Sequence, residues 1–329
     1  MTVEHVVANQ PPGRFYRGGR RIAGFRADGR QDRHGPEDWV ASTTTLFGHE
    51  HVGLSVLGDG VRLRDAVTKD PLGWLGAHHL AAFGPETELL VKLLDAGQRL
   101  PVHAHPDARD ATRLLGLTHG KTEAWVMLEP ATVHLGFLRP VGEHELASWV
   151  ANQDATAMLA AMHAVPLATG DAVWVPAGMP HSIGAGAFLV ELQEPTDLSV
   201  LLEWVGFDID GHADGHLGVG FDTALTAVDR RAWSREEITA LRQSRAHDTG
   251  DLLPAAHRFF RAERLRGGDS LDPGYGVLVV VAGEGEIVPE VGDPVVIRRG
   301  QTLVVPHRAG TCQLQGENVE VIRCRPPKP

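Results

Sequence analysis

The chain is short of cysteine, of membrane-length apolar runs and of positive charge, and each shortage narrows the reading. Only Cys312 and Cys324 occur in 329 residues, too few and too late for a disulfide framework, so reduced thiols are expected. No run of 18 apolar residues is present, and Met1 to Gln10 has neither the basic start nor the hydrophobic centre of a signal peptide. A cytoplasmic location with no membrane partner is therefore expected. Lys and Arg number 31 against 42 Asp and Glu, a formal charge of −11, which disfavours nucleic acid and anionic membranes as partners. The arginines between residues 11 and 35 are a local exception. They are interleaved with Phe15, Tyr16, Ile22 and Phe25, which fits an ordered wrap better than a nucleic-acid arm. The length permits one long or two moderate domains.

What the chain does have is histidine, 18 in all, and three of them stand in a pattern. After Gly97 come His103 and His105, then Glu123, then His181 at the end of Gly170-Asp171-x4-Pro176-x4-His181. Side chains alternate along a strand, so the two histidines of His-x-His share a face. Glu123 opens the apolar run Ala124 to Leu128, and Val173-Trp174-Val175 leads towards His181, so further strands would deliver both to the same ion. An imidazole and carboxylate set without cysteine suits zinc, manganese, iron or nickel in an open site rather than a structural zinc.

The rest of the chain reads as strands with a few helices. Gly58-Asp59-Gly60 signals a short hairpin between Leu54–Leu57 and Val61–Leu63. Trp74 to Phe83 reads as helical turns, and Leu89 to Leu94 as a buried strand. Apolar spacing from Glu143 to Val165 suits one or two amphipathic helices, and Ser-x-x-Glu at Ser234 and Glu237 starts another, running to about His247. The glycine-rich segment Gly206 to Gly220, with Asp208, Asp210, His212, Asp214 and His216, reads as a mobile solvated loop rather than a second metal site. Beyond Arg258, Gly300-x5-Pro306 repeats the spacing of Gly170-x5-Pro176, but Thr311 stands where the first copy has His181. The second copy lacks that ligand, and His307 reads as a turn or core residue. Two units are expected, residues 1–248 with the metal and 249–329 without it.

The motif halves Gly-x5-His-x-His and Gly-Asp-x4-Pro-x4-His resemble those of cupins, which are double-sheet jelly rolls. Seventeen residues between His105 and Glu123 exceed an ordinary cupin hairpin. Leu90-Val91-Lys92-Leu93-Leu94-Asp95-Ala96, Val102-His103-Ala104-His105-Pro106-Asp107, Gly120-Lys121-Thr122-Glu123-Ala124-Trp125, Pro176-Ala177-Gly178-x-Pro180-His181 and, earlier, Glu37-Asp38-Trp39-Val40-Ala41-Ser42 resemble class I mannose-6-phosphate isomerases. The resemblance covers most of residues 13 to 200. It implies a mainly β protein of two cupin-like jelly-roll barrels, a bound divalent ion, zinc by family, on His103, His105, Glu123 and His181, and a small sugar or sugar-phosphate substrate. The implied reaction interconverts mannose 6-phosphate and fructose 6-phosphate, or a closely related sugar with or without phosphate, through an enediol. Lys121 and Glu191 are the implied catalytic groups, and Lys92, Asp95 and Trp39 the implied substrate contacts. The same ligand set also serves a non-catalytic sugar-binding or regulatory cupin, or a cupin oxygenase or hydrolase. Three departures from the family stand out: His103 replaces Gln, Pro101 replaces Ser, and Leu201 replaces an Arg thought to face the phosphate. Arg17, Arg20 and Arg21 are the candidates to replace that cation.

Overall fold

Alternation along strands decides where most side chains of this molecule go. The computed structural model describes residues 2–26, 35–243 and 249–329. Among the described residues, four antiparallel sheets form two pairs. In the first pair, a six-stranded sheet runs in the order Arg242–Gln243, Ala172–Val175, Glu123–Glu129, Phe188–Gln193, Leu90–Asp95 and Glu37–Val40. Its partner orders Val200–Leu201, His103–Ala104, His181–Ile183, Ala131–Phe137 and Met162–Leu167. The second pair has a six-stranded sheet of Glu4–His5, Thr302–Val305, Gly276–Ala282, Glu320–Arg325, Arg261–Arg266 and Gly250–Asp251. Opposite lie Ser270–Leu271, Cys312–Gln315, Glu284–Pro289 and Val295–Arg298. The protein is mainly β, as two double-sheet barrels.

The two six-stranded sheets stand back to back. Val91, Leu93, Val126, Val190 and Leu192 of the first share one buried cluster with Val277, Val279, Val304 and Ile322 of the second. Each such aliphatic side chain contributes about 1.5–3 kcal/mol on burial, so this joint is a core in its own right. The residues between them in sequence, Lys92, Leu94, Trp125, Met127, Leu189 and Glu191, point the other way, into the first barrel. A third cluster covers the outer face of the five-stranded sheet, with Leu146, Val150 and Met158 packed on Val102, Phe137 and Val200.

Several elements differ from expectation for reasons visible in the packing. The segment Glu143 to Val165 holds two helices, Glu143–Asn152 and Ala155–Ala160, but Met162 and Val165 belong to the edge strand Met162–Leu167. The expected hairpin at 54–63 closes by a single bridge, Val56 to Arg62, before the helix Leu63–Lys69 begins. Helical turns at 74–83 resolve into Pro71–Leu75 and Ala77–Phe83. The capping box at Ser234 forms with both reciprocal bonds, and the helix spans Arg235–Leu241 before Arg242–Gln243 pairs as a strand. The expected continuation over 244–247 lies outside the described residues. Gly206 to Gly220 is not merely a solvated loop: Gly211–Asp214 is helical, and Trp204 and Leu217 beside it are buried. Both cysteines are free and buried, on strands of different sheets. His307 opens a 3-10 turn, and its ring occupies the space that a Cβ at Gly76 would need.

Candidate metal centre and its cleft

His103 pairs directly with His181 across two strands of the five-stranded sheet, and His105 follows two residues on, so all three rings meet inside the barrel. One nitrogen from each of the three lies within 4.8 Å of the others. Every Nδ1 is held by a backbone carbonyl: Pro101 at 2.8 Å for His103, Leu198 at 2.6 Å for His105 and Met179 at 2.8 Å for His181. That bond makes Nδ1 the protonated nitrogen and turns the Nε2 lone pair inward. Glu123 enters from the other sheet, with its oxygens 3.1 Å from His105 Nε2 and 3.3 Å from His181 Nε2. Among the described residues, the three histidines alone form the group whose ligand atoms all lie within 4.8 Å of one another, and Glu123 stands against two of them, with one oxygen to each. His181 Nε2 is buried without a hydrogen-bond partner, an orphan that a metal would satisfy.

The electrostatics favour the ligating forms. Burial, then neighbouring His181, pushes His103 well below the usual imidazole range, and burial with the Lys121 ammonium takes His105 down to about 3. Both are neutral and able to ligate. Burial alone would raise the Glu123 carboxyl, but Lys121 and the histidines outweigh it and hold Glu123 well below the carboxylate range. Lys121 lies two residues before the strand Glu123–Glu129, and its ammonium is 2.8 Å from both Glu123 Oε2 and His105 Nε2.

Beside the centre is a cleft lined by Lys92, Lys121, Glu191 and His103. Glu191 lies opposite Lys92 on one neighbouring strand and Trp125 on the other. Its Oε1 is 3.3 Å from Lys92 Nζ yet accepts no hydrogen bond, which leaves a buried carboxylate oxygen available. Burial raises the Glu191 carboxyl; Lys92 lowers it, the Glu123 charge raises it, and the net direction is up. Lys92 also reaches Glu37 at 3.4 Å and Asp197 at 3.7 Å, and these carboxylates keep its pKa raised despite burial.

Two of the expected substrate contacts stand elsewhere. Asp95 has the parity of Val91 and Leu93 rather than of Lys92, so it leaves the barrel on the outer face. Its carboxylate accepts the backbone N–H groups of Gly19 and Arg21, each at 2.8 Å, and pairs with the Arg21 side chain. Asp95 therefore anchors the N-terminal wrap, and a Cβ at Gly18 would collide with the Asp95 carbonyl. Trp39 shares the inward face but is fully buried behind the cleft wall, with Nε1 donating to Glu37 at 2.7 Å and the Lys92 ammonium 4.9 Å over its ring. It supports Lys92 from below.

The sequence reading missed four cleft groups: Arg14, Tyr16, Glu37 and Asp197. Tyr16 and Arg14 both donate to Glu37 Oε1, at 2.5 and 3.0 Å. Their two-residue spacing, 14 and 16, and that of Glu37 with Trp39, was the available signal. Pro101 and Leu201 do line the cleft. The arginines expected to compensate do not: Arg17 bonds Gln98, and Arg21 pairs with Asp95 and Glu129, while Arg20 is exposed and absent from the cleft wall.

No family model matches the chain. Among curated proteins it is similar to mannose-6-phosphate isomerase of Streptococcus mutans, 26% identical over 302 residues that cover 87% of this chain and 89% of that protein. Mannose-6-phosphate isomerase ManA of Bacillus subtilis is 27% identical over 259 residues, 74% of this chain and 78% of that protein. The crystal structure of a Bacillus subtilis mannose 6-phosphate isomerase superposes with a TM-score of 0.75 at 17% identity, over 98% of this chain and 99% of the other. The fold is that of the mannose-6-phosphate isomerases. A mannose 6-phosphate isomerase structure bound with zinc and yttrium matches with a TM-score of 0.74 at 15% identity, over the full length of both chains. No helix among the described residues is long and apolar enough to cross a membrane.

Proposed function

We propose that this chain is a metal-dependent aldose-ketose isomerase that interconverts mannose 6-phosphate and fructose 6-phosphate. The observation that carries the reading is the convergence, in one cleft, of three inward-facing imidazoles and Glu123 with the unbonded carboxylate oxygen of Glu191. His103, His105, His181 and Glu123 would hold one divalent ion, zinc by similarity. Bound there, a divalent ion supplies Lewis-acid stabilisation of negative charge developing on sugar oxygens.

The chain's own groups handle the proton. Glu191, with its pKa raised by burial, takes the proton from the carbon beside the aldehyde; the C–H electron pair becomes the C1–C2 double bond, the aldehyde π pair moves onto O1, and O1 takes up the hydroxyl proton that O2 gives up, which leaves the enediol as its anion. The same carboxyl returns the proton to C1 as the C2 oxygen becomes the ketone. A raised pKa serves both halves, because the group must be a base and then an acid near neutral pH. Lys92, held against Glu37, Asp197 and Glu191, fixes the carboxylate in place. Lys121 orients Glu123 through its 2.8 Å bond to Oε2 and stands close enough to polarise a sugar oxygen. Phe15, Leu94 and Leu100 give the cleft apolar walls that limit water.

The finer part of the proposal is that phosphate contributes less here than in the similar isomerases. Leu201 and Pro101 bring no donor to the cleft, and Arg14 is engaged by Glu37 at 2.8 Å and Asp197 at 3.6 Å. A charge-assisted bond is worth about 1.5–3 kcal/mol, or roughly ten- to a hundredfold in affinity. Measuring kcat/KM for mannose and mannose 6-phosphate on one metal-loaded preparation tests both parts. Conversion of both within a hundredfold of each other supports the reading; a larger preference for the phosphate removes the finer part. No ketose from either sugar removes the isomerase. A cytoplasmic location belongs to the same proposal, supported by the two buried free thiols.

A further inference from the structure

Away from the cleft, the strands Arg261–Arg266 and Glu320–Arg325 pair so that Arg261 stands directly opposite Arg325. Like charges so placed repel. Arg325 has a counterion, since both of its terminal nitrogens donate to Asp272, at 2.7 and 3.0 Å. The same carboxylate also takes Arg323 at 2.7 Å, so Asp272 is fully engaged. Arg261 has no equivalent: among the described residues its guanidinium makes one hydrogen bond, from Nε to the Pro326 carbonyl at 2.9 Å, and no ion pair. Among the described residues its terminal nitrogens have no protein acceptor.

This half-buried cation borders a cavity of about 550 Å³ between the helix Ala77–Phe83 and the second barrel. Such a volume suits a small molecule. Arg325, Lys328, His78 and His307 also line it, and Asp272 is the one acidic side chain among its described lining residues. In a chain of formal charge −11, Arg261 and Lys328 are the cations that line the cavity beside the Arg325–Asp272 pair. Gly274 leaves the room that Arg325 needs, since a Cβ there would meet its guanidinium. Burial, then the Arg325 charge, pulls Arg261 down to about 10, the direction an anion would reverse.

We propose that this cavity binds a small molecule through a phosphate or carboxylate group seated on Arg261 beside Arg325. The site is separate from the metal cleft and does not depend on the isomerase reading. Titration calorimetry of the full chain with inorganic phosphate, and separately with malonate, tests it at low ionic strength and shows which anion is preferred. The comparison is with Arg261→Gln and with His78→Glu, the second on an exposed helical position that leaves the fold intact. Wild type should show one anion site that Arg261→Gln weakens at least tenfold and His78→Glu weakens severalfold. Should Arg261→Gln not fold, Arg261→Lys, which keeps the charge but loses the planar fork, should still weaken the site. Isotherms for both anions that His78→Glu and the soluble Arg261 variant leave unchanged would overturn the proposal.

Discussion

The two barrels share a double-sheet plan and fill it with opposite chemistry. The second is filled with Leu278, Val280, Ile287, Ile297, Leu303, Leu314 and Val321. At the cleft end of the first, the inward positions carry Glu37, Lys92, Lys121, Glu123, Glu191 and three histidines, all at least nine-tenths buried. Buried charges are costly unless paired, and here each ionic side chain meets an opposite one. The shared Gly-x5-Pro words explain the similar backbone: strand Ala172–Val175 leads to His181 in one, and Thr302–Val305 leads through a 3-10 turn to Thr311 in the other. The scaffold is thus indifferent to what faces inward, and the proposed function rests on the inward set.

The largest break in this comparison should come from His181→Ala. Bound metal should fall from one ion per chain towards none and activity by more than about a hundredfold, read by metal analysis beside a ketose assay. Next, Glu191→Gln should keep its metal and lose roughly 10²–10⁴ in kcat; unchanged turnover would remove it from the mechanism.

Glu37→Gln tests the cost of the first barrel's charge. Glu37 lies against Arg14, Lys92, Tyr16 and Trp39, and removing its charge leaves Arg14 with Asp197 alone and Lys92 with Asp197 and Glu191, at a cost of up to about 3–5 kcal/mol. Burial alone would raise its carboxyl, but Arg14 and Lys92 hold it well below its usual 4.5. The unfolded chain therefore binds the proton first on acidification. Its contribution should be complete above pH 4.5 and lost as the pH falls towards the depressed folded value, so wild type and variant should converge in acid. A stability gap that stays constant from pH 7 downward would contradict this. The smallest effect belongs to Thr311→His, which restores the ligand type at the matching position of the second barrel. With aliphatic neighbours in place of partner ligands, it should bind no second ion and change stability by no more than about 0.5 kcal/mol.

The convergence of His103, His105 and His181 was readable because strand alternation and short turns fix them locally: His-x-His shares a face whatever else the chain does. The capping box at Ser234 was readable for the same reason. Asp95 was not, because its side depends on which face of Leu90–Asp95 the second barrel covers, a long-range fact. Nor was the helix Ala108–Leu115, capped by Asp107 and closed at Gly116, which fills the long gap before Glu123. Arg14 and Tyr16 lie in a segment placed by contacts distant in sequence, with Glu37, Asp95, Gln98, Asp197 and Asp208. We propose the two-domain division near 248/249, supported by Arg242–Gln243 pairing in the first barrel and Gly250–Asp251 in the second. The strand Glu4–His5 crosses that division by pairing with Thr302–Val305.

The claim that the first barrel's inward charges form a metal-dependent isomerase centre meets its most direct test in a zinc titration. Chelator-stripped protein would be titrated with zinc while ketose formation from mannose 6-phosphate is followed. The account predicts negligible activity without metal, a rise that levels off at one ion per chain, and no rise in His181→Ala. Full activity in the stripped protein, or one bound ion per chain with no ketose from either mannose 6-phosphate or mannose, would contradict it.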